Sequence, residues 1–204
     1  PAVGRAANAL KGRGVRFLLH GDEHAIEQAL AKVPHAVQLC TIQHADRVVA
    51  MDEKPAQALR RGKGTSLWNA IEAVKDGKAQ AIVSSGNTGA LMAMSKLILR
   101  MAAPGLDRPA IVVSWPTAKG ATTVLDMGAN VECDAQRLTE FAIMGAAYHR
   151  ALNGAERPTV GLLNVGSEDE KGHEDVKGAH RILRETALDL DYRGFVEGTD
   201  ISRG

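Results

Sequence analysis

Ala81-Ile82-Val83-Ser84-Ser85-Gly86-Asn87-Thr88-Gly89 passes from an apolar, β-favouring run into a glycine and asparagine loop, and then into a helical pattern. The same progression recurs at Thr123-Val124-Leu125-Asp126-Met127-Gly128-Ala129-Asn130 and at Val160-Gly161-Leu162-Leu163-Asn164-Val165-Gly166-Ser167-Glu168. Strand, loop and helix repeated in this order predict an α/β fold with a parallel sheet and helices on both faces. In an open parallel sheet, ligands bind beyond the carboxyl ends of the strands, so the three loops are expected to converge on one crevice. Glycine allows close backbone approach, while Asn, Ser and Thr supply neutral hydrogen-bonding groups. The ligand expected there is polar and anionic.

Working outward, strand-like runs fall near 15–19, 36–42, 80–84, 110–115, 122–127, 159–165 and 192–196. Helical patterns fill most of the gaps. Leu67, Ile71 and Val74 share one face of a helix over 66–76, behind a Thr65 or Ser66 cap. The segment from Ala90 to Met101 is apolar almost all round and reads as a buried helix. Asp134 caps a helix presenting Leu138, Phe141, Gly145, Tyr148 and Leu152, and Asn153-Gly154 stops it.

With 204 residues, 45% of them hydrophobic, the chain has enough apolar mass for a substantial core in one large or two small domains. Its 25 Lys and Arg against 24 Asp and Glu give a net charge of +1, which removes any global electrostatic argument for nucleic acid. Cys40 and Cys133 are the two cysteines, too few and too far apart for a disulfide framework or a tetrahedral zinc site. That usage fits a reducing cytoplasm. No apolar stretch approaches the roughly 18 residues of a membrane-spanning helix.

The loops carry the chemistry. Backbone N–H groups of Ser85-Gly86-Asn87-Thr88-Gly89, with the Ser and Thr hydroxyls, make an anion site at a helix start; equally, the glycines are steric and Thr88 is an N-cap. Asp126 either orients a partner or fastens its own loop by an Asx-type bond. Cys133 reads as a small buried residue rather than a nucleophile. In the third loop Asp169 and Glu170 read as a solvated turn, whereas Lys171, between two glycine bends, is placed to meet a phosphate or a developing oxyanion. His173 is either a general base or a surface histidine at a helix start. The segment from Met51 to Ser66 is locally basic. Its Lys54, Arg60, Arg61 and Lys63 form either a docking patch for an acidic protein or phosphate, or a solvated loop. Gly62-Lys63-Gly64 does not complete a P-loop. No metal site is expected, because His20 and His24 flank a turn at Gly21.

Taken together, Met51-Asp52-Glu53-Lys54-Pro55, Ala58-Leu59-Arg60-Arg61, Ser85-Gly86-Asn87-Thr88-Gly89-Ala90-Leu91-Met92, Leu125-Asp126-Met127-Gly128-Ala129-Asn130-Val131 and Gly161-Leu162-Leu163-Asn164-Val165-Gly166 resemble the bacterial phosphate acyltransferases of phospholipid synthesis. Each motif is weak alone; their order and spacing over nearly the whole chain are specific. The resemblance implies transfer of a fatty acyl group from acyl carrier protein to inorganic phosphate, with no cofactor, in a cytoplasmic homodimer. It also implies a three-layer α/β/α fold similar to isocitrate and isopropylmalate dehydrogenases and to phosphotransacetylases. Residues 1–204 are expected to form a single α/β domain, the central part of a longer enzyme. The family's opening strand is expected before Pro1, and its C-terminal helices, with peripheral contact to the inner face of the membrane, after Gly204.

Phosphate is already an oxygen nucleophile and a thioester is activated, so the protein chiefly positions the two and stabilises an oxyanion. The expected catalytic set is Lys171, Asn164 and Asn130. Phosphate or substrate is expected at Ser85, Gly86, Asn87, Thr88, Gly89, Asp126, Gly128 and Gly166, and acyl carrier protein at Lys54, Arg60, Arg61 and Lys63. Two rivals stand beside this reading. One is a nicotinamide-dependent hydroxy-acid dehydrogenase of similar fold, against which the chain has no G-x-G-x-x-G fingerprint. The other is a non-catalytic anion-binding module.

Overall fold

The first helix, α1 (Ala2–Ala9), precedes a parallel pair in which β1 (Phe17–Gly21) is joined through α2 (Glu23–Ala31) and α3 (Pro34–Val37) to β2 (Cys40–His44). Register runs from Phe17 opposite Cys40 to Gly21 opposite His44. The computed structural model describes residues 2–204, which divide into two compact units, 2–105 and 106–204.

In the first unit, α2 begins where Asp22 accepts a hydrogen bond from the Ala25 N–H at 2.8 Å. Pro34 opens α3 because its missing N–H costs nothing in a first helical turn. The strand expected from residue 36 therefore starts only at Cys40. Three helices follow: α4 (Pro55–Arg61), α5 (Ser66–Lys75) and α6 (Thr88–Ile98). Thr65 caps α5 by accepting from the Trp68 N–H at 3.3 Å, and Leu67 and Ile71 on the expected face are buried. With Ala58, Ala90, Met94 and Ile98 they make one apolar cluster. Fully burying a side chain such as Ile71 or Met94 contributes about 1.5–3 kcal/mol.

The run over 80–84 is not a strand. Val83 is 99% exposed, and no other segment pairs with it among the described residues. Extended backbone becomes a strand only when a neighbour takes its hydrogen bonds, and β propensity in the run supplies no neighbour.

In the second unit β3 (Val113–Thr117) and β4 (Gly120–Val124) form an antiparallel hairpin, from Val113 opposite Val124 to Thr117 opposite Gly120. Ala118 and Lys119 alone join them, and a connection this short permits only antiparallel pairing. Then come α7 (Ala135–Asn153), β5 (Thr159–Leu163), α8 (Glu174–Glu185), β6 (Asp191–Val196) and α9 (Gly198–Arg203). β5 and β6 are parallel around α8. Asp134 caps α7 by accepting from the Arg137 N–H at 2.8 Å, and Gly154 ends it in the left-handed region at φ 69°. The face expected for α7 is only half right: Phe141 is buried, whereas Tyr148 and Leu152 are exposed. The fold is thus mixed α/β, with three small sheets of two strands each among the described residues, two of them parallel.

Candidate functional site

The first loop leads straight into α6, and its cap is Asn87 rather than Thr88. The Asn87 Oδ1 accepts from the Ala90 N–H at 2.9 Å, while Nδ2 donates to the carbonyls of Ala50, Met51 and Glu53 at 3.0, 3.1 and 2.8 Å. At 7% exposure this side chain is a clamp that holds the Met51–Pro55 segment against the start of α6. Its amide is saturated by protein groups; Ser85, Gly86 and Thr88 are exposed, and the Gly86 N–H donates to Ser84 Oγ at 3.1 Å. Gly89 has a steric reason: a Cβ there would lie 2.7 Å from the Pro55 ring, where α4 begins.

Asn87 thereby joins this loop to the basic segment. Lys54 stands at the start of α4, and Arg60 and Arg61 lie in its last turn, where cations complement the helix dipole. Arg47, which the sequence did not single out, donates to the carbonyls of Arg61 and Lys63 and fixes the turn that follows. Beside it lies a cleft of about 660 Å³ lined by Arg47, Asp52, Glu53, Gln57 and Arg61.

In the second loop the Asp126 carboxylate is turned inward. It accepts from the Ile111 N–H at 2.6 Å, from the Asn130 N–H at 2.7 Å and from Asn130 Nδ2 at 3.2 Å. Asn130 also donates to the Pro109 carbonyl at 3.1 Å. Both side chains hold the loop on residues 109–111, while Gly128 at φ 91° makes its turn. Cys133 is half-buried, and burial pushes its thiol above the ordinary value, opposite to what a nucleophile requires.

The third loop follows β5 and is built around Asn164, whose Nδ2 donates to the carbonyls of Gly166 at 3.1 Å and Lys171 at 2.9 Å. One side chain thus ties both ends of the loop. Gly172 sits at φ 94°, and a Cβ there would fall 2.0 Å from the Asn164 Oδ1, so the contact admits glycine alone. At Gly166 a Cβ would lie 2.5 Å from Lys171 Cδ, which shows the lysine stem crossing this glycine. Lys171 Nζ reaches Glu168 Oε1 at 2.8 Å. The pair is exposed. The hydrogen bond that Lys171 donates to Glu168 holds its ammonium above the ordinary pKa, and the same bond holds Glu168 below the usual carboxylate value. A lysine held this way keeps its proton to higher pH, which suits it to stabilising negative charge and not to taking up a proton. His173 stands at the start of α8 without a side-chain capping bond.

Within the units, then, the structure joins the loop at 85–89 to the basic segment, Asp126 to Asn130, and Asn164 to Gly166 and Lys171. Sequence reasoning missed Glu168 as the partner of Lys171. The signal was their spacing of three residues with opposite charge.

A family model described as "Fatty acid synthesis protein" matches residues 1–204. The chain is 67% identical to a phosphate acyltransferase of Caulobacter vibrioides over its whole length, covering 56% of that protein. It is 64% identical over its whole length to a phosphate acyltransferase of Phenylobacterium zucineum, covering 57% of it. The chain therefore spans about half the length of the curated relatives it matches. In fold it is similar to the EutD phosphotransacetylase from Staphylococcus aureus, with a TM-score of 0.55 and 15% identity over 96% of this chain and 73% of that one. Motif order, the Asn164–Lys171 loop and these likenesses agree: the chain belongs to the fatty acid synthesis protein family, among relatives that are bacterial phosphate acyltransferases.

Proposed function

We propose that the protein to which this chain belongs transfers a fatty acyl group from acyl carrier protein to inorganic phosphate. A phosphate oxygen attacks the thioester carbonyl carbon. The C–O bond forms, the C–S bond breaks, and the proton lost by phosphate goes to the departing thiol. Acyl phosphate and free carrier thiol are the products. The observation that carries this reading is Lys171, held as an ammonium by Glu168 in the loop that Asn164 ties. Such a cation stabilises both the phosphate and the oxyanion formed on the thioester. Exposed Ser85, Gly86 and Thr88 bind phosphate, and Asn87, Asp126, Asn130 and Asn164 keep their loops in shape. Lys54, Arg60, Arg61 and Lys63 receive the acidic carrier protein. The same reading takes residues 1–204 as one three-layer α/β/α domain of a cytoplasmic homodimer that meets the membrane peripherally.

The test is acyl phosphate formation by the full-length protein from acyl carrier protein thioester and phosphate. Lys171→Ala should lower turnover by about 10²-fold or more, the scale of one oxyanion-stabilising donor, with its melting temperature kept. Near-normal turnover would remove Lys171 from the site.

A further inference from the structure

His180 is a buried, polarised group that the proposed reaction does not use. It lies on α8 beside buried Ala179 and Leu183 and is itself 8% exposed. Its ring stacks on Phe195 at 4.4 Å between centroids and meets Tyr192 edge-on at 5.5 Å, both on β6. Nδ1 is 2.7 Å from the Tyr192 hydroxyl. Burial pushes that hydroxyl up to about 12, so it remains protonated and able to donate to Nδ1. The other ring nitrogen, Nε2, lies 3.7 Å from Asp169 Oδ1 and 3.5 Å from Arg184 Nη1, which is in turn 3.9 Å from Asp169 Oδ2. The Asp169 side chain is otherwise 72% exposed. It is the residue next to Glu168, which holds Lys171.

We infer that His180 is a positioning residue for the loop that carries Lys171, acting through Asp169. Asn164 ties the loop at Gly166 and Lys171, and the contact at Asp169 gives it a further anchor outside its own residues. An exposed ion pair between Asp169 and Arg184 at 3.9 Å contributes little by itself. His180 differs because α8 and β6 fix its ring before the loop arrives, so Asp169 loses little freedom in meeting it. The alternative is a core histidine satisfied by Tyr192, with Asp169 merely near.

This inference rests on the proposed role of Lys171, and its test has a readout that does not. In the full-length protein, Asp169→Ala removes an exposed carboxylate, so the fold should be kept; His180→Leu and the double variant complete the cycle. The expected result for Asp169→Ala is a fall in kcat of about fivefold, the scale of coupling between contacting groups, with KM for the acyl carrier thioester unchanged. Hydrogen exchange at the Lys171 amide, which donates to the Glu168 carbonyl at 3.1 Å, should quicken. His180→Leu should give the same fall, and the double variant no further loss. Wild-type kcat and exchange in Asp169→Ala would overturn the inference, as would losses that multiply in the double variant. If the unaltered protein makes no acyl phosphate, the proposed function fails, and exchange at Lys171 alone then decides: quickened in both single variants, the anchor stands; unchanged, it falls.

Discussion

Glu168 and Lys171 illustrate how one carboxylate sets the working range of its neighbour. The ammonium is stabilised by the folded contact, so its charge is fully present below the ordinary lysine pKa and is lost only as pH rises past the raised value. Lys171 should therefore add no inflection to the turnover profile between about pH 6 and 9. In Glu168→Gln the alkaline limb should move to lower pH, and a profile superimposable on that of the unaltered protein would show that the pair does not govern the charge. Gly172 offers a second residue-level check. Alanine there meets the Asn164 Oδ1 and must also adopt φ 94°, so Gly172→Ala should cost about 1–3 kcal/mol in chemical denaturation. Little of this was visible in sequence. The lysine was, because it stands between glycines; the tie from Asn164 was not, because side-chain direction in a loop has no periodicity to read.

At the scale of elements, legibility followed the range of the interaction that decides each one. α5 and α7 were foreseen with their caps, since Thr65 and Asp134 bond to N–H groups three residues on. The Asn87 clamp escaped notice because its carbonyl partners lie 34 to 37 residues away. The run at 80–84 and the hairpin failed for a related reason: strand identity is settled by a partner, and the sense of pairing by the length of the connection. Asn87 yields a distinguishing experiment. Asn87→Ala loses a cap and leaves three carbonyls without their donor, and should destabilise by about 2 kcal/mol. Asn87→Asp keeps the capping oxygen but sets a carboxylate against those carbonyls, so it should be no more stable than the alanine variant. A stable aspartate variant would show that the cap alone matters.

Across the whole molecule the near-neutral charge of +1 makes local patches decisive. Arg60 and Arg61 at the end of α4, with Lys63 beyond it, concentrate positive charge on one short stretch. Arg61→Ala in the full-length protein should slow association with acyl carrier protein and flatten its dependence on salt, leaving turnover at saturation near normal. Unchanged association would assign the stretch to holding Arg47, whose guanidinium donates to its carbonyls. The mixed α/β class was legible because strands and helices alternate along the chain. The division into three small sheets was not, because it depends on pairings between distant segments.

The Glu168–Lys171 contact carries a further consequence, one of self-preservation. In the proposed reaction, thioesters and acyl phosphates surround the protein as reagents that acylate amines, and a free amine at the reacting carbon would be consumed as a suicide nucleophile. Only the deprotonated amine attacks, and the carboxylate keeps that form scarce. Mass spectrometry after many turnovers should thus find Lys171 unacylated, and in Glu168→Gln the adduct should accumulate with time, converting a catalyst into a reagent that wears out.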